Sequence, residues 1–215
     1  MHDICDVVHG AYNLRVPLPE PTVELVLKAE AEFDRENSVA ESAVALVFGQ
    51  YPGNNYLVHV LVKVAVLNQL YRTNIFDVGI AAERIANLPN LDEFLTKGAP
   101  QGVDLIADIK IGTKPRVLLS FATKYCSWHN QGAYPIFDVN VDKCLWAYKK
   151  QDRFTDYASN YCSAGTASQR RENFFSVVTA FRQHYGLNSV NFKQLDKFLY
   201  LQGRSLAAKV KAQHA

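Results

Sequence analysis

Cysteine is sparse in this chain, four residues in 215, and Cys5, Cys126, Cys144 and Cys162 never approach a Cys-x-x-Cys spacing. That scatter excludes a zinc ribbon and a four-cysteine iron–sulfur loop, and reduced thiols are the simplest reading. No metal and no cofactor are expected. No apolar run reaches the roughly 20 residues that a membrane span requires. Met1-His2-Asp3 opens without the basic-then-apolar pattern of a secretion signal, so the expectation is a cytoplasmic protein with no membrane partner. Strand-type alternation is nearly absent, which removes the sheet-based fold classes. Gly, Pro and Ser nowhere gather into a linker able to separate domains, and no internal repeat is visible. What remains is one all-α unit over 1–215, a helical bundle with room for two lobes.

What is present supports that reading. The chain is 48% hydrophobic and 12% aromatic, enough to bury one substantial core and too much for disorder. Its net charge of +2 hides an asymmetry: residues 1–142 sum to −6 and residues 143–215 to +8. A basic C-terminal third suggests a polyanionic partner, although Lys/Arg-rich solvated helix faces would look the same. The helical period predicts a helix over 23–36 capped by Thr22, and a second starting at Ser38 or Ser42 and running to Phe48. The most apolar element, 56–72, is expected at the centre of the fold because it is apolar on nearly every side. Further helices are predicted over 77–86, 91–96, 102–108, 114–128, 139–148, 152–161, 168–185, 191–201 and 205–213. The expected core is 56–150, with the basic helices of 151–215 packed against those of 22–50.

Three local patterns carry a resemblance. Val64-Ala65-Val66-Leu67-Asn68-Gln69-Leu70 is a buried helix ending in Leu-x-Gln. Gly112-Thr113-Lys114 is followed by the apolar Val117-Leu118-Leu119. Tyr134-Pro135-Ile136-Phe137-Asp138-Val139-Asn140-Val141 sets a lone carboxylate at a Pro-marked junction of loop and helix. Together, over about 60–145, they resemble the helix-hairpin-helix base-excision glycosylases, the superfamily of endonuclease III and the alkyladenine glycosylases. Two departures stand out: the family's Leu-Pro-Gly-Val-Gly hairpin is replaced by Ile109-Lys110-Ile111-Gly112, and Lys114 lies further from Asp138 than is usual.

The resemblance implies a monomeric DNA glycosylase that flips a damaged or modified base out of double-stranded DNA and cleaves its N-glycosidic bond. The setting would be base-excision repair or defence against modified phage DNA. Asp138 would stabilise the positive charge developing at the sugar's anomeric carbon, and capping the helix after it is a compatible second job. A lysine attacking that carbon would add lyase activity. Lys114 fits by alignment and Lys124 by its setting beside Phe121, Tyr125 and Trp128. Ten residues of helix, about 15 Å, separate them, so both cannot reach one carbon. Trp128 or Tyr134 would stack on the extruded base and His129 or Asn130 would read its edge. The plain alternative makes Asn130 a helix cap and leaves His129 at the negative end of the helix dipole.

Gln69, with Arg72 and Asn74, sits where a wedge would fill the vacated stack. Arg170, Arg171, Arg182, Lys193, Lys197, Arg204, Lys209 and Lys211 are the candidates for phosphate contacts. Two rival classes stand beside this one: a non-catalytic DNA-binding protein on the same scaffold, and a helical protein-interaction module.

Overall fold

The polypeptide leaves its first described residues through a capped helix start. Thr22 is extended and its hydroxyl accepts from the Leu25 amide at 3.1 Å, which satisfies a free donor of the first turn. The computed structural model describes residues 17–111, 116–156 and 165–213, with side chains as far as 208. Among the described residues there are nine helices and no strand. They are α1 (Val23–Gln50), α2 (Leu57–Tyr71), α3 (Val78–Ala86), α4 (Leu91–Lys97), α5 (Gln101–Ala107), α6 (Leu119–His129), α7 (Val139–Asp152), α8 (Ala167–His184) and α9 (Phe192–Gln213).

Several boundaries differ from the periodic reading. α1 is one helix of 28 residues where two were expected. No Pro interrupts it, its first Gly is Gly49, and Asn37 Nδ2 donates to the Phe33 carbonyl at 2.8 Å, so the middle stays wound. α9 likewise runs unbroken where two helices were expected. The helix expected over 152–161 is absent in its described part: Arg153 turns left-handed at φ 52° and 154–156 are not helical. The rest of that segment, 157–164, lies outside the described residues. α6 begins at Leu119 rather than near Lys114, and Gly112, Thr113 and Lys114 lie outside the described residues.

α2 is not apolar-buried on all sides. Val60, Lys63, Val64 and Leu67 are buried, whereas Leu57, Val58, Leu61 and Leu70 are exposed. The helix packs against α1, α3 and α6.

The long final helix α9 closes the fold by packing on α7 and α1. Against α7 the backbones nearly touch. A Cβ at Gly203 would lie 2.0 Å from the Asn140 carbonyl oxygen, so only glycine fits there. Against α1 the contact includes three ion pairs: Lys193 meets Glu41 at 3.1 Å, Lys197 meets Asp34 at 2.6 Å, and Arg204 meets Glu36 at 3.0 Å. The opposed charges of the two ends of the sequence therefore meet each other inside the fold. Among the described residues no helix is long and apolar enough to cross a membrane.

Candidate active site

The loop between α6 and α7 delivers Asp138 to a fixed spot. Thr123, buried on α6, donates its hydroxyl to the Leu119 carbonyl and accepts from the Phe137 amide, both at 2.9 Å. This pins the last loop residue to the side of α6. Asp138 follows in an extended conformation and caps α7, its Oδ1 accepting from the Asn140 amide at 2.9 Å. The other oxygen, Oδ2, lies 3.3 Å from Lys124 Nζ.

Lys124 is almost wholly enclosed, its side chain 4% exposed. Its ammonium donates to Ser120 Oγ at 2.7 Å, the Phe137 carbonyl at 3.2 Å and Asp138. The amine is turned onto the end of the loop, among oxygen acceptors. For attack on carbon it must release a proton, and the Asp138 carboxylate is the base within reach.

Both groups open into a cleft of about 640 Å3, a volume suited to a small ligand or a single base. Phe33 and Glu41 of α1 line it, with Tyr71 and Arg72 at the end of α2, and Asp196 and Tyr200 of α9. Phe33 and Tyr200 meet edge to face, centroids 5.8 Å apart. Glu41 is committed elsewhere: it accepts from the Tyr71 hydroxyl and pairs with Lys193. Asp196 makes no hydrogen bond or ion pair among the described residues. Burial, with Asp138 and Glu41 nearby, raises its carboxyl to about 7 against the opposing pull of Lys193 and Lys124. A wider groove, about 1020 Å3, holds neither Lys124 nor Asp138.

The other expected site residues scatter. Tyr134 is buried, and its hydroxyl lies 2.9 and 2.8 Å from the Phe94 and Ala99 carbonyls, tying the loop to α4. Asn130 caps α6 and its amide reaches the Leu95 and Thr96 carbonyls at 3.3 and 3.4 Å. Trp128 packs between Phe48 and Tyr71, behind the cleft, with Lys193 Nζ 4.5 Å from its ring centre. None of these three lines the hollow, so the structure does not bring them together with Lys124 and Asp138 there.

His129 also lies outside the lining, in a buried polar cluster around Lys63. The three protons of Lys63 face the Gly53 carbonyl at 2.9 Å, Asn54 Oδ1 at 2.6 Å and His129 Nε2 at 3.4 Å. Burial and the Lys63 charge push His129 down to about 3, with Asp92 pulling the other way. The imidazole is thus neutral and accepts through Nε2. Burial likewise lowers Lys63 to about 8, and Asp92 partly offsets it.

Gln69 is exposed but outside the cleft lining, whereas Arg72 is exposed and lines it. Arg72 and Asn74 are both left-handed, at φ 50° and 57°. Asn68 braces their turn, accepting from the Ile75 amide at 2.8 Å and donating to its carbonyl at 3.0 Å. The turn ends by presenting Phe76, 89% exposed. Arg170 is partly exposed, its Nε donating to the Gly165 carbonyl. Arg171 is held by Asp104 through two bonds of 2.9 and 3.0 Å, which makes it a link between α8 and α5. Lys209 and Lys211 have side chains outside the described set. Among the described residues no cluster of three His, Cys, Asp or Glu side chains is set to hold a metal ion.

The sequence reading missed Phe33, Glu41, Asp196 and Tyr200. Their signal was weak: Asp196 and Tyr200 share a helix face four residues apart, as any amphipathic helix allows.

A family model named HI_0787_N, an N-terminal domain, matches residues 24–133, a span that includes Lys124 and ends just before Asp138. An uncharacterized protein of Haemophilus influenzae is 31% identical over 196 residues, covering 86% of this chain and 87% of that protein. No solved structure matches.

Proposed function

This chain belongs to the HI_0787_N family; from the geometry of its cleft we propose that it is a DNA glycosylase of the helix-hairpin-helix type. One observation carries the reading: an enclosed lysine and a helix-capping carboxylate lie 3.3 Å apart at the edge of a hollow of about 640 Å3. Base loss leaves positive charge on the anomeric carbon, and Asp138 is the anion that faces it. The Lys124 amine then closes on the same carbon, giving up its proton to Asp138 as the bond forms and the sugar's positive charge is discharged, and opens the route to strand cleavage. Phe33 and Tyr200 supply the aromatic walls for an extruded base. The exposed ring of Phe76 and the side chains of Gln69, Arg72 and Asn74 serve as the wedge at the vacated stack. Oxidised, alkylated and phage-modified bases all remain within this class.

The test is incubation with duplexes carrying a panel of damaged or modified bases, scored for abasic product and for borohydride-trapped adduct. Lys124→Ala is expected to abolish trapping, and Lys114→Ala to retain it. Trapping lost only in the Lys114 variant overturns the assignment of the amine. No base released from any duplex overturns the glycosylase.

A second reading is favoured by the internal use of charge. Arg171, Lys193, Lys197 and Arg204 are all paired with carboxylates of the same chain, which leaves fewer cations for phosphates. A helical protein without a nucleic-acid role fits that observation. It predicts no salt-sensitive retention on immobilised DNA.

A further inference from the structure

Three carboxylates line the cleft, and two of them are occupied. Asp138 is divided between the Asn140 amide and Lys124, and Glu41 between Tyr71 and Lys193. Asp196 is the third. It sits on α9 one turn from Lys193 and one turn from Tyr200, half-buried, lining the hollow with no hydrogen bond or ion pair among the described residues. The charged and titratable groups around it are Lys193 and Tyr200 on its own helix, Glu41 from α1, Tyr71 and Arg72 from the end of α2, Lys124 from α6 and Asp138 at the cap of α7.

We propose that Asp196 is the general acid of this cleft, delivering a proton to the departing base, and that the substrate is consequently a neutral rather than a cationic base. The inference rests on the glycosylase reading and names its substrate class. When the bond between the anomeric carbon and the base nitrogen breaks, the electron pair leaves with the base. A neutral nucleobase would depart as an anion. The Asp196 O–H transfers its proton to a ring nitrogen or carbonyl oxygen of that base, which leaves neutral, and Asp196 becomes a carboxylate. The charge left on the sugar faces Asp138 and is captured by Lys124 or by water, the nucleophile's proton passing to Asp138 as the new bond forms and from there to solvent. Asp196 then regains its proton from solvent.

A base alkylated on a ring nitrogen already carries positive charge. It leaves neutral with no added proton, so this acid has nothing to contribute. The assignment of the acid agrees with its surroundings: Asp196 is the cleft carboxyl without a bonded partner among the described residues, and burial raises it to about 7, whereas Asp138 is paired with Lys124 at 3.3 Å.

The experiment measures base release under single-turnover conditions by the full chain and by Asp196→Asn. Its duplexes carry 8-oxoguanine, hypoxanthine, uracil or 5-hydroxymethylcytosine as neutral bases and 7-methylguanine as a cationic one. Release of at least one neutral base by the unmodified chain is expected. Its rate should fall about tenfold per pH unit above roughly pH 7, as the acid is titrated away. Asp196→Asn should lower that rate by roughly 10²-fold and flatten the alkaline limb. Any release of 7-methylguanine should change less than threefold.

Equal losses on neutral and cationic bases, or an unaltered pH profile in the variant, would mean a structural role and overturn the proposal. Release of 7-methylguanine alone overturns it while leaving the glycosylase standing. Release of none of the five removes both.

Discussion

Asp138 spends one oxygen on the helix it caps and the other on Lys124, so a single substitution cannot test chemistry and stability together. Asparagine caps a helix about as well as aspartate, whereas alanine loses roughly 1 kcal/mol of capping. Asp138→Asn is therefore expected to keep chemical-denaturation stability within about 1 kcal/mol while base release falls by roughly 10²–10³-fold. Asp138→Ala should lose both, and also strip Lys124 of a partner. Unchanged base release in the asparagine variant would reduce Asp138 to a cap.

His129 makes the pH prediction. Its pKa is about 3 in the folded protein and about 6.5 when unfolded, so the unfolded chain binds the extra proton between those values. Its contribution is fully present above pH 6.5 and is lost as pH falls toward 3. Asp196 acts in the opposite sense, since a raised carboxyl costs stability as pH climbs from 4 to 7. His129→Gln keeps an acceptor for Lys63 and removes the titration. Denaturation at pH 7 and pH 4 should show the unmodified chain losing roughly 2–3 kcal/mol more than the variant. An equal loss in both would remove His129 as the acid-sensitive group.

Among residues, the sequence exposed Asp138 because a Pro-led loop followed by a helical period marks a cap on its own. Its partner was harder to choose. Lys124 and His129 are close in sequence, yet five helical residues rotate a side chain by about 140°, which turns the first to the cleft and the second to Lys63. Nothing local reports that rotation without knowing what lies on each side.

Among elements, periodicity located the helices and misjudged their joins. Ser38 and Ser42 read as starts, but a polar residue breaks a helix only if it bonds locally in another conformation. Asn37 bonds back along the helix instead. Gly203 reads as a break and is a contact. It lets α9 lie against the carbonyl of Asn140, two residues after the capping carboxylate. Gly203→Ala must push the start of α7 away, and is expected to cost roughly 2–3 kcal/mol as an overpacking substitution. Because α7 carries Asp138, the same change should reduce base release well before the protein unfolds at working temperature. A thermal melt and a rate measured on one preparation test both. Full activity would show that α7 shifts without moving its cap.

Across the whole molecule, the charge asymmetry was visible in composition, but composition does not say whom the charges meet. The acidic residues of α1 and the basic residues of α9 lie 160 or so positions apart and become neighbours only through the fold. Enclosed pairs such as Lys193–Glu41 contribute to orienting the two helices more than to net stability, because desolvation offsets much of their attraction. Pairing of the lysines with α1 also leaves Asp196 on the same helix to face the cleft.

Phe33 and Glu41 come from the first described helix, and Asp196 and Tyr200 from the last. A ribosome making this chain must therefore reach α9 before the hollow exists. While α9 is still inside the exit tunnel, Lys124 and Asp138 have no wall opposite them, and a half-synthesised copy has no chamber in which to hold a substrate.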